Sequence, residues 1–515
     1  MPLTRLLALL LVAGQLGCAS LPPPVDKPHS SAFAAPQATT LGRIVEAAAP
    51  RDSASGFRLL IDGEDALASL LALADHAERS LDVQYYIVRD DASSRTVLRR
   101  VHAAAARGVR VRMLFDDLNT AEADNSLLCL TRHPNIELRL YNPFPAGRFS
   151  TLTRVLASLT DIDRVNQRMH AKMFVADNAL AITGGRNLGD EYFVLSPSSN
   201  FVDLDLLVAG PVVPAMSRTF DQFWNDELAY PIAQLVRHQP ECEGPVAAQP
   251  AANRLVAPSG MLARELSDRR VELEWARASV VADSPPRPGT GSVVVGTDSI
   301  ASPGSADGDA IAVELARLIG SARKELVIVT PYFVPGPHGM AAFRALRERG
   351  VAIRVLTNSL ASTDAAIVHV GYARYRTELL ETGVELHELR PQLGAPRSRL
   401  GGFGSSMASL HAKALIIDRH TSLIGSMNMD PRSVWLNSEL AIVIPDEDIA
   451  AQVLQLYEEV VEKSSYRLRL DEDGNLQWIG GTPQAPVVEG REPGASIGLR
   501  ALLFLLGPFA PDEML

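Results

Sequence analysis

Cysteine and lysine are the scarce residues in this chain. Cys18, Cys129 and Cys242 are the three cysteines in 515 residues, and they lie too far apart to match a zinc-ligand spacing or a disulfide-rich scaffold. Cys129 and Cys242 leave two readings open, one disulfide in an oxidising compartment or two buried thiols. Positive charge is not in excess either. The formal net charge is -11, so no field over the whole chain gathers a polyanion, and nucleic acid is not expected as a partner unless a local basic cleft exists. No apolar run reaches the length of a membrane span. With 47% hydrophobic and 21% charged residues the composition is that of a folded globular chain, too long for one core and therefore expected as two domains of roughly 150 to 250 residues.

The N-terminus reads as an address. Arg5 supplies a positive start, Leu6 to Ala13 an apolar stretch of signal-peptide length, and Gly17, Cys18 and Ala19 small residues after it. Leu16-Gly17-Cys18 resembles a bacterial lipoprotein cleavage site, which would make Cys18 the lipidated first residue of the mature chain. Plain secretion, with Cys18 incidental, is the alternative. The expected division is a signal peptide over 1–18, a flexible tether over 19–55, a first half over 56–240, a linker over 241–309, a second half over 310–466 and a tail over 467–515.

The two halves are visible as an internal repeat. Ser80 to Tyr86 reads as a strand, Arg95 to Ala106 as a helix and Arg107-Gly108-Val109-Arg110-Val111-Arg112-Met113-Leu114 as a second strand. Glu325 to Thr330, Gly339 to Glu348 and Arg349-Gly350-Val351-Ala352-Ile353-Arg354-Val355-Leu356 repeat the pattern, with glycine just past each helix. Third strands follow at Ile136 to Leu140 and Val384 to Glu388. Such units predict an α/β fold of two similar halves, each a largely parallel or mixed sheet sandwiched by helices. Ser284-Pro285-Pro286-Arg287-Pro288-Gly289 is the clearest break between them.

The same chemistry-bearing residues recur in both copies. His170-Ala171-Lys172, Asp177, Gly184-Gly185 and Asn187 are matched at identical spacing by His411-Ala412-Lys413, Asp418, Gly425-Ser426 and Asn428. A lone His-x-Lys is ordinarily a strand histidine beside a solvated lysine. Here only Lys27, Lys172, Lys324, Lys413 and Lys463 are lysines, and two of these five fall at matching places in the repeat, which chance does not explain. On a strand, residues i and i+2 share a face, so each His and Lys are expected to face one cleft while Met173 and Val175, or Ala414 and Ile416, turn to the packing side. Histidine can attack phosphorus when neutral or donate a proton when charged, and two copies supply both roles. Lysine, together with the Asn beyond the glycine turn, can hold non-bridging oxygens and stabilise charge on five-coordinate phosphorus.

HxKxxxxD followed by Gly-Gly or Gly-Ser and Asn resembles the signature of the phospholipase D superfamily, present twice between about Phe57 and Tyr466. The resemblance implies one active site at the interface of the halves, with no metal or other cofactor. It implies that one of His170 and His411 is the nucleophile and the other the general acid, with His170 assigned as nucleophile. Lys172, Lys413, Asn187, Asn428 and Ser426 are then phosphate-binding residues. Asp177 and Asp418 complete the motifs, more as structural hydrogen-bond acceptors than as proton carriers. Asp203 and Glu439 resemble the family's imidazole-orienting groups, although Asp203 and Asp205 also fit a solvated edge. Gly184 to Phe193, Gln84-Tyr85-Tyr86, Phe115 to Thr120, Leu356 to Leu360 and Asn428 to Ser433 are similar to the C-type group of bacterial cardiolipin synthases. That likeness implies phosphatidyl transfer onto phosphatidylglycerol from a second phospholipid such as phosphatidylethanolamine. The leader and its Leu16-Gly17-Cys18 site, separately, lead to the expectation of a lipid-anchored protein of the bacterial cell envelope facing the periplasm. Hydrolytic phospholipase D is the runner-up, and a nuclease or non-catalytic scaffold follows. Asp116, Asp117 and Asn119 read as turn formers. The apolar stretch Leu499 to Phe509 is either an interfacial segment or a buried terminal helix.

Overall fold

Each copy of the repeat builds one mixed sheet. The computed structural model describes residues 21–23, 27–50, 54–120, 123–145, 147, 153–154, 161–236, 240–242, 260–286, 310–392, 406–482 and 485–506. In the first half Ser80–Ile87, Arg110–Asn119 and Ile136–Tyr141 run parallel. Met173–Ala176, Leu180–Gly184 and Asp205–Ala209 continue the sheet antiparallel. The second half repeats this order with Glu325–Val329, Ala352–Asn358 and Glu385–Leu389 parallel. Ala414–Ile417, Thr421–Gly425 and Leu440–Pro445 follow antiparallel. The parallel crossovers are the helices Ala92–Ala106 and Gly336–Glu348. Asp91 caps the first of them by accepting from the Ser94 N–H. The reversal after each helix needs a left-handed residue, supplied by Gly108 at φ 99° and Gly350 at φ 82°.

Because every central strand is covered on both faces, its two sets of side chains enter different cores. Phe174 and Ala176 pack into the outer core of the first half. Met173 and Val175, together with Ala414 and Ile416, enter an apolar cluster shared by both halves. Leu206, Val208, Phe220 and Trp224 from the first half meet Val327, Leu356, Ile442 and Tyr457 from the second in that cluster. The halves are therefore joined through a hydrophobic core, which fixes their relative placement at the sites described below.

Three segments outside the two motifs pack onto the halves. Within the segment read as a flexible tether, residues 27–50 are packed against the first half. Lys27 Nζ donates to the carbonyl of Ala229 at 2.7 Å, and the backbone N–H groups of Ser30 and Ala32 donate to Asn225 and Asp221. Thr39 caps the helix Thr40–Ala48, whose Leu41, Ile44 and Val45 are buried. This i, i+3, i+4 stripe is diluted by Ala, Ser and Pro and so escapes a composition reading. Within the expected linker, residues 274–282 form a strap: Glu274–Ala276 pairs with Ser55–Leu60 in the first sheet, and Ser279–Ala282 pairs with Leu440–Pro445 in the second. The start of the tail extends the second sheet, through antiparallel pairing of Ser465–Leu470, Leu476–Thr482 and Ala485–Glu489. Residues 1–18, including Cys18, lie outside the described residues. Among the described residues no helix is long and apolar enough to cross a membrane. The helix Ile497–Leu506 docks Leu499 and Leu503 beside Leu360, Ala366 and Val370, while Ile497 is exposed.

Cys129 and Cys242 form a disulfide across 113 residues. It closes a loop that contains most of the first half, so reduction releases chain entropy worth on the order of 4 kcal/mol in the unfolded state. Cys129→Ser is expected to lower the melting temperature by several degrees, and dithiothreitol to lower that of the parent but not of the variant. Equal effects of reductant on both proteins would show that the bond is not formed.

Candidate active site

The two motifs meet at two short ribbons that cross between the halves. Arg168–Met169 pairs in parallel with Asn437–Ser438, and Met407–Leu410 pairs in parallel with Ser199–Val202. At the end of each ribbon one carbonyl takes two N–H groups. Ser438 O accepts from His170 and Ala171 at 2.9 and 3.0 Å, and Val202 O accepts from His411 and Ala412 at 2.8 and 3.1 Å. Each His-x-Lys thus lies in the break between a ribbon and a sheet strand, not on one continuous strand as expected. The backbone N–H groups of residues 170–171 and 411–412 donate to the opposite half, so the sheet ladders begin only at Met173 and Ala414.

The residues next along are the orienting carboxylates, and they are exchanged between halves. His170 Nδ1 lies 2.8 Å from both carboxylate oxygens of Glu439. His411 Nδ1 lies 2.6 Å from Asp203 Oδ2. Donation of Nδ1–H to a carboxylate fixes the tautomer and leaves each Nε2 for chemistry. Asp203 is buried, which excludes the solvated-edge alternative, and Asp205 is buried against Arg186 at 3.2 Å. Burial would raise the Asp203 pKa, but His411, Lys413 and Arg186 outweigh it and hold the group at about 2. For Glu439 burial is likewise overcome, by His170 and Lys172, so its carboxyl stays below the usual range. Both carboxylates are ionised near neutrality.

The basic residues are pushed the other way. Burial lowers His170 to about 4, against the pull of Glu439, and Lys172 adds to the lowering. Burial lowers Lys172 to about 7, and also lowers His411 and Lys413. Lys413 bears on His170 and Lys172 from across the interface, so the two motifs share one electrostatic field. Each ammonium donates to the carbonyl of its own histidine. The rings are enclosed by aromatic edges: Tyr86 meets His170 with centroids 4.8 Å apart, and Tyr192 and Phe201 meet His411 at 5.2 and 4.9 Å. An anionic phosphodiester entering this cluster would raise the pKa values of both lysines and both histidines.

Several motif residues serve the frame. Asp177 accepts the N–H groups of Glu78, Arg79 and Ser80 at 3.0, 2.7 and 2.9 Å, and Asp418 accepts those of Arg323, Lys324 and Glu325 at 3.0, 2.7 and 2.9 Å. Both stand in left-handed turns, at φ 54° and 53°, and tie a hairpin to the start of a central strand. Three charge-assisted bonds to one carboxylate lead to a specific expectation: Asp177→Ala loses roughly 2 to 4 kcal/mol of stability by denaturant melts. An unchanged midpoint would contradict this reading.

Asn187 Oδ1 accepts from Ile87 N–H, and its amide donates to Tyr192 Oη at 3.1 Å, so it braces the tyrosine that packs on His411. Asn428 Oδ1 has no hydrogen-bond partner among the described residues. Ser426, expected on phosphate, instead donates its hydroxyl to Glu439 and accepts from Leu440 N–H at 3.0 Å. A carboxylate one methylene longer than Asp203 leaves room for that serine. At the matching Gly185 a Cβ would come within 2.0 Å of Asp203 Oδ1.

Two positioning residues escape sequence reasoning. Asp116 accepts Leu118 N–H at 2.9 Å, the turn contact expected of it, and also accepts Met169 N–H at 3.0 Å and pairs with buried Arg168 at 3.1 Å. Asn358 brackets Leu410, accepting its N–H at 2.7 Å and donating to its carbonyl at 2.9 Å. Both stand eight residues beyond the post-helix glycines Gly108 and Gly350, and that equivalence in the repeat was the available signal. Among the described residues no group of three or more His, Cys, Asp or Glu is placed to hold a metal ion.

Two similar mixed α/β halves that join paired His-Lys motifs define a two-motif phospholipase D-type protein. The chain belongs to the family described as cardiolipin synthase, phospholipase D-like domain, whose model matches residues 70–224 and 315–461, one segment in each half. It is similar to cardiolipin synthase C of Escherichia coli (strain K12), with 36% identity over 461 residues covering 86% of this chain and 92% of that protein. It is also 30% identical over 406 residues to an uncharacterized protein of Helicobacter pylori, covering 77% of each. Among solved structures, phosphatidylserine synthase of Haemophilus influenzae shares the fold, with a TM-score of 0.57 at 13% identity over 89% of this chain and 94% of that one.

Proposed function

We propose that the chain transfers a phosphatidyl group between phospholipids, forming cardiolipin through a phosphohistidine. The observation that carries this reading is the exchanged pair of His–carboxylate contacts, which leaves two Nε2 atoms facing one lysine-rich site. Neutral His170 attacks phosphorus, and its Nδ1–H remains on Glu439 as the ring gains charge. His411 gives its proton to the departing headgroup oxygen. Having become neutral, His411 then takes the proton from the acceptor hydroxyl, which attacks phosphorus and releases His170. Lys172 and Lys413 neutralise the non-bridging oxygens as charge builds. Asn428 is assigned to the same binding surface as a donor through its side-chain N–H groups.

Water at about 55 M competes for the intermediate, so only a held alcohol gives transfer. Family membership and the likeness to cardiolipin synthase C favour phosphatidylglycerol as that alcohol and disfavour simple hydrolysis. Phosphatidylethanolamine is the assigned donor. The test uses vesicles of labelled phosphatidylethanolamine with and without phosphatidylglycerol. Label is expected in cardiolipin only when phosphatidylglycerol is present, with little phosphatidic acid. Phosphatidic acid as the main product in both mixtures would make the enzyme a hydrolase.

The pKa shifts give a pH profile with a definite sign. His411 must be protonated to act as the acid and Lys172, at about 7, charged to bind phosphate, and burial lowers both, so kcat/KM for the donor falls with rising pH, first as His411 loses its proton and then through about 7. His170, at about 4, must be neutral to attack, so the acid limb lies near that value. Bound phosphodiester raises Lys172, so the basic limb of kcat lies above that of kcat/KM. A kcat/KM that stays flat to pH 9 would remove Lys172 from this role.

The leader is assigned as a lipoprotein signal, with the mature chain anchored through Cys18 on the periplasmic side of a bacterial membrane. The Cys129–Cys242 disulfide supports an oxidising compartment. Cys18→Ser is expected to abolish incorporation of labelled palmitate, and incorporation into the variant would exclude that anchor.

A further inference from the structure

The His411 end of the cleft carries a carboxylate that no step of the transfer uses. Asp364 is exposed, and the Tyr332 hydroxyl lies 3.0 and 2.9 Å from its two oxygens. Both members of this pair are pinned to the segments that bear the second motif. Thr330 Oγ1 donates to the carbonyl of Tyr332 and accepts from Met429 N–H, and Val334 N–H donates to the Met429 carbonyl, fastening Tyr332 beside Asn428. Asn358 holds Leu410, the residue before His411, and accepts from Ser362, which opens the loop leading to Asp364. The charge of Asp364 bears on both His411 and Lys413. No cation pairs with Asp364 among the described residues. A held, unneutralised carboxylate works against binding a phosphodiester, so it calls for a hydrogen-bond donor or cation on the ligand itself.

We propose that Tyr332 and Asp364 form the headgroup subsite, where Asp364 receives a donor carried on the carbon next to the one bearing the reacting oxygen. The assignment rests on the reading above that His411 serves both the leaving and the entering alcohol, because in-line displacement brings both to the face opposite His170. Glycerol carries a hydroxyl on that carbon and ethanolamine an ammonium, so the same carboxylate recognises the donor's headgroup as it departs and the acceptor's as it arrives. Tyr332 keeps the carboxylate turned toward the cleft. Neither residue bonds to phosphorus or moves the reacting proton, so both act on selectivity.

The test uses the full chain with phosphatidylethanolamine vesicles and an equimolar mixture of glycerol and 1-propanol. Both alcohols offer a primary hydroxyl, and glycerol alone has the neighbouring one. The ratio of phosphatidylglycerol to phosphatidylpropanol is independent of how much protein is active, so partial misfolding cannot imitate the effect. The unaltered protein is expected to favour glycerol by roughly tenfold or more, with Asp364→Ala bringing the ratio near unity and Tyr332→Phe falling between. A second arm compares phosphatidylethanolamine with phosphatidylpropanol as competing donors, where the same variants are expected to lose preference for the amine. Loss in the first arm assigns the hydroxyl source, and loss in the second assigns the ammonium source. Ratios unchanged in both arms would overturn the subsite. Failure of the unaltered protein to form either phosphatidylglycerol or phosphatidylpropanol would instead overturn the transfer reading on which the subsite rests.

Discussion

His170→Ala and His411→Ala should each lose at least roughly 10⁴-fold in turnover of phosphatidylethanolamine, because the nucleophile and the leaving-group acid act as one unit. The two losses differ in kind and can be separated by the donor. A nitrophenyl headgroup leaves without protonation, so the first step should recover in His411→Ala, which would release nitrophenol in a single burst and hold the phosphatidyl group. His170→Ala should give no burst. Denaturation at alkaline pH, where the phosphorus–nitrogen bond survives, should then find label bound to His411→Ala and none on His170→Ala. A labelled His170→Ala protein would assign the nucleophile to the other motif.

The second large effect comes from the exchanged carboxylates. Glu439→Gln keeps the shape of the side chain but removes the charge that holds His170 in one tautomer and stabilises the ring once it carries phosphorus. The expected loss is on the order of 10² to 10⁴ in kcat, with little change in KM. The same donor separates the two halves again. The burst from a nitrophenyl phospholipid should survive in Asp203→Asn, because Asp203 lies 2.6 Å from His411, and should fail in Glu439→Gln. Sequence order alone suggests the reverse, since Asp203 follows His170 and Glu439 follows His411 within their own halves. Burst loss in Asp203→Asn and retention in Glu439→Gln would refute the crossing.

That crossing marks where sequence reasoning stops. The repeat is legible because glycine must follow each helix and because two of five lysines sit at matching places beside matching histidines. The paired mixed sheets follow from the same strand–helix–strand pattern. Contacts between Glu439 and His170, 269 residues apart, and between Asp203 and His411, 208 apart, depend on ribbons of two and four residues. Strands that short carry no periodic signal. The contact of Ser426 with Glu439 is hidden for a similar reason. The serine's place after Gly425 suggests phosphate, and only the extra reach of Glu439 over Asp203 draws its hydroxyl away. The packed segment after Lys27 and the strap at residues 274–282 are hidden by Ala, Ser and Pro composition, although both bury apolar side chains against the halves they join.

A phosphohistidine intermediate requires two in-line displacements at one phosphorus, and each inverts its configuration. The most direct measurement is therefore stereochemical: phosphatidylethanolamine made chiral at phosphorus with oxygen isotopes is incubated with phosphatidylglycerol vesicles, and the configuration of the transferred phosphorus in cardiolipin is read by NMR. The account predicts retention. Inversion would mean that the acceptor hydroxyl attacks the donor directly, and it would contradict a covalent role for either histidine.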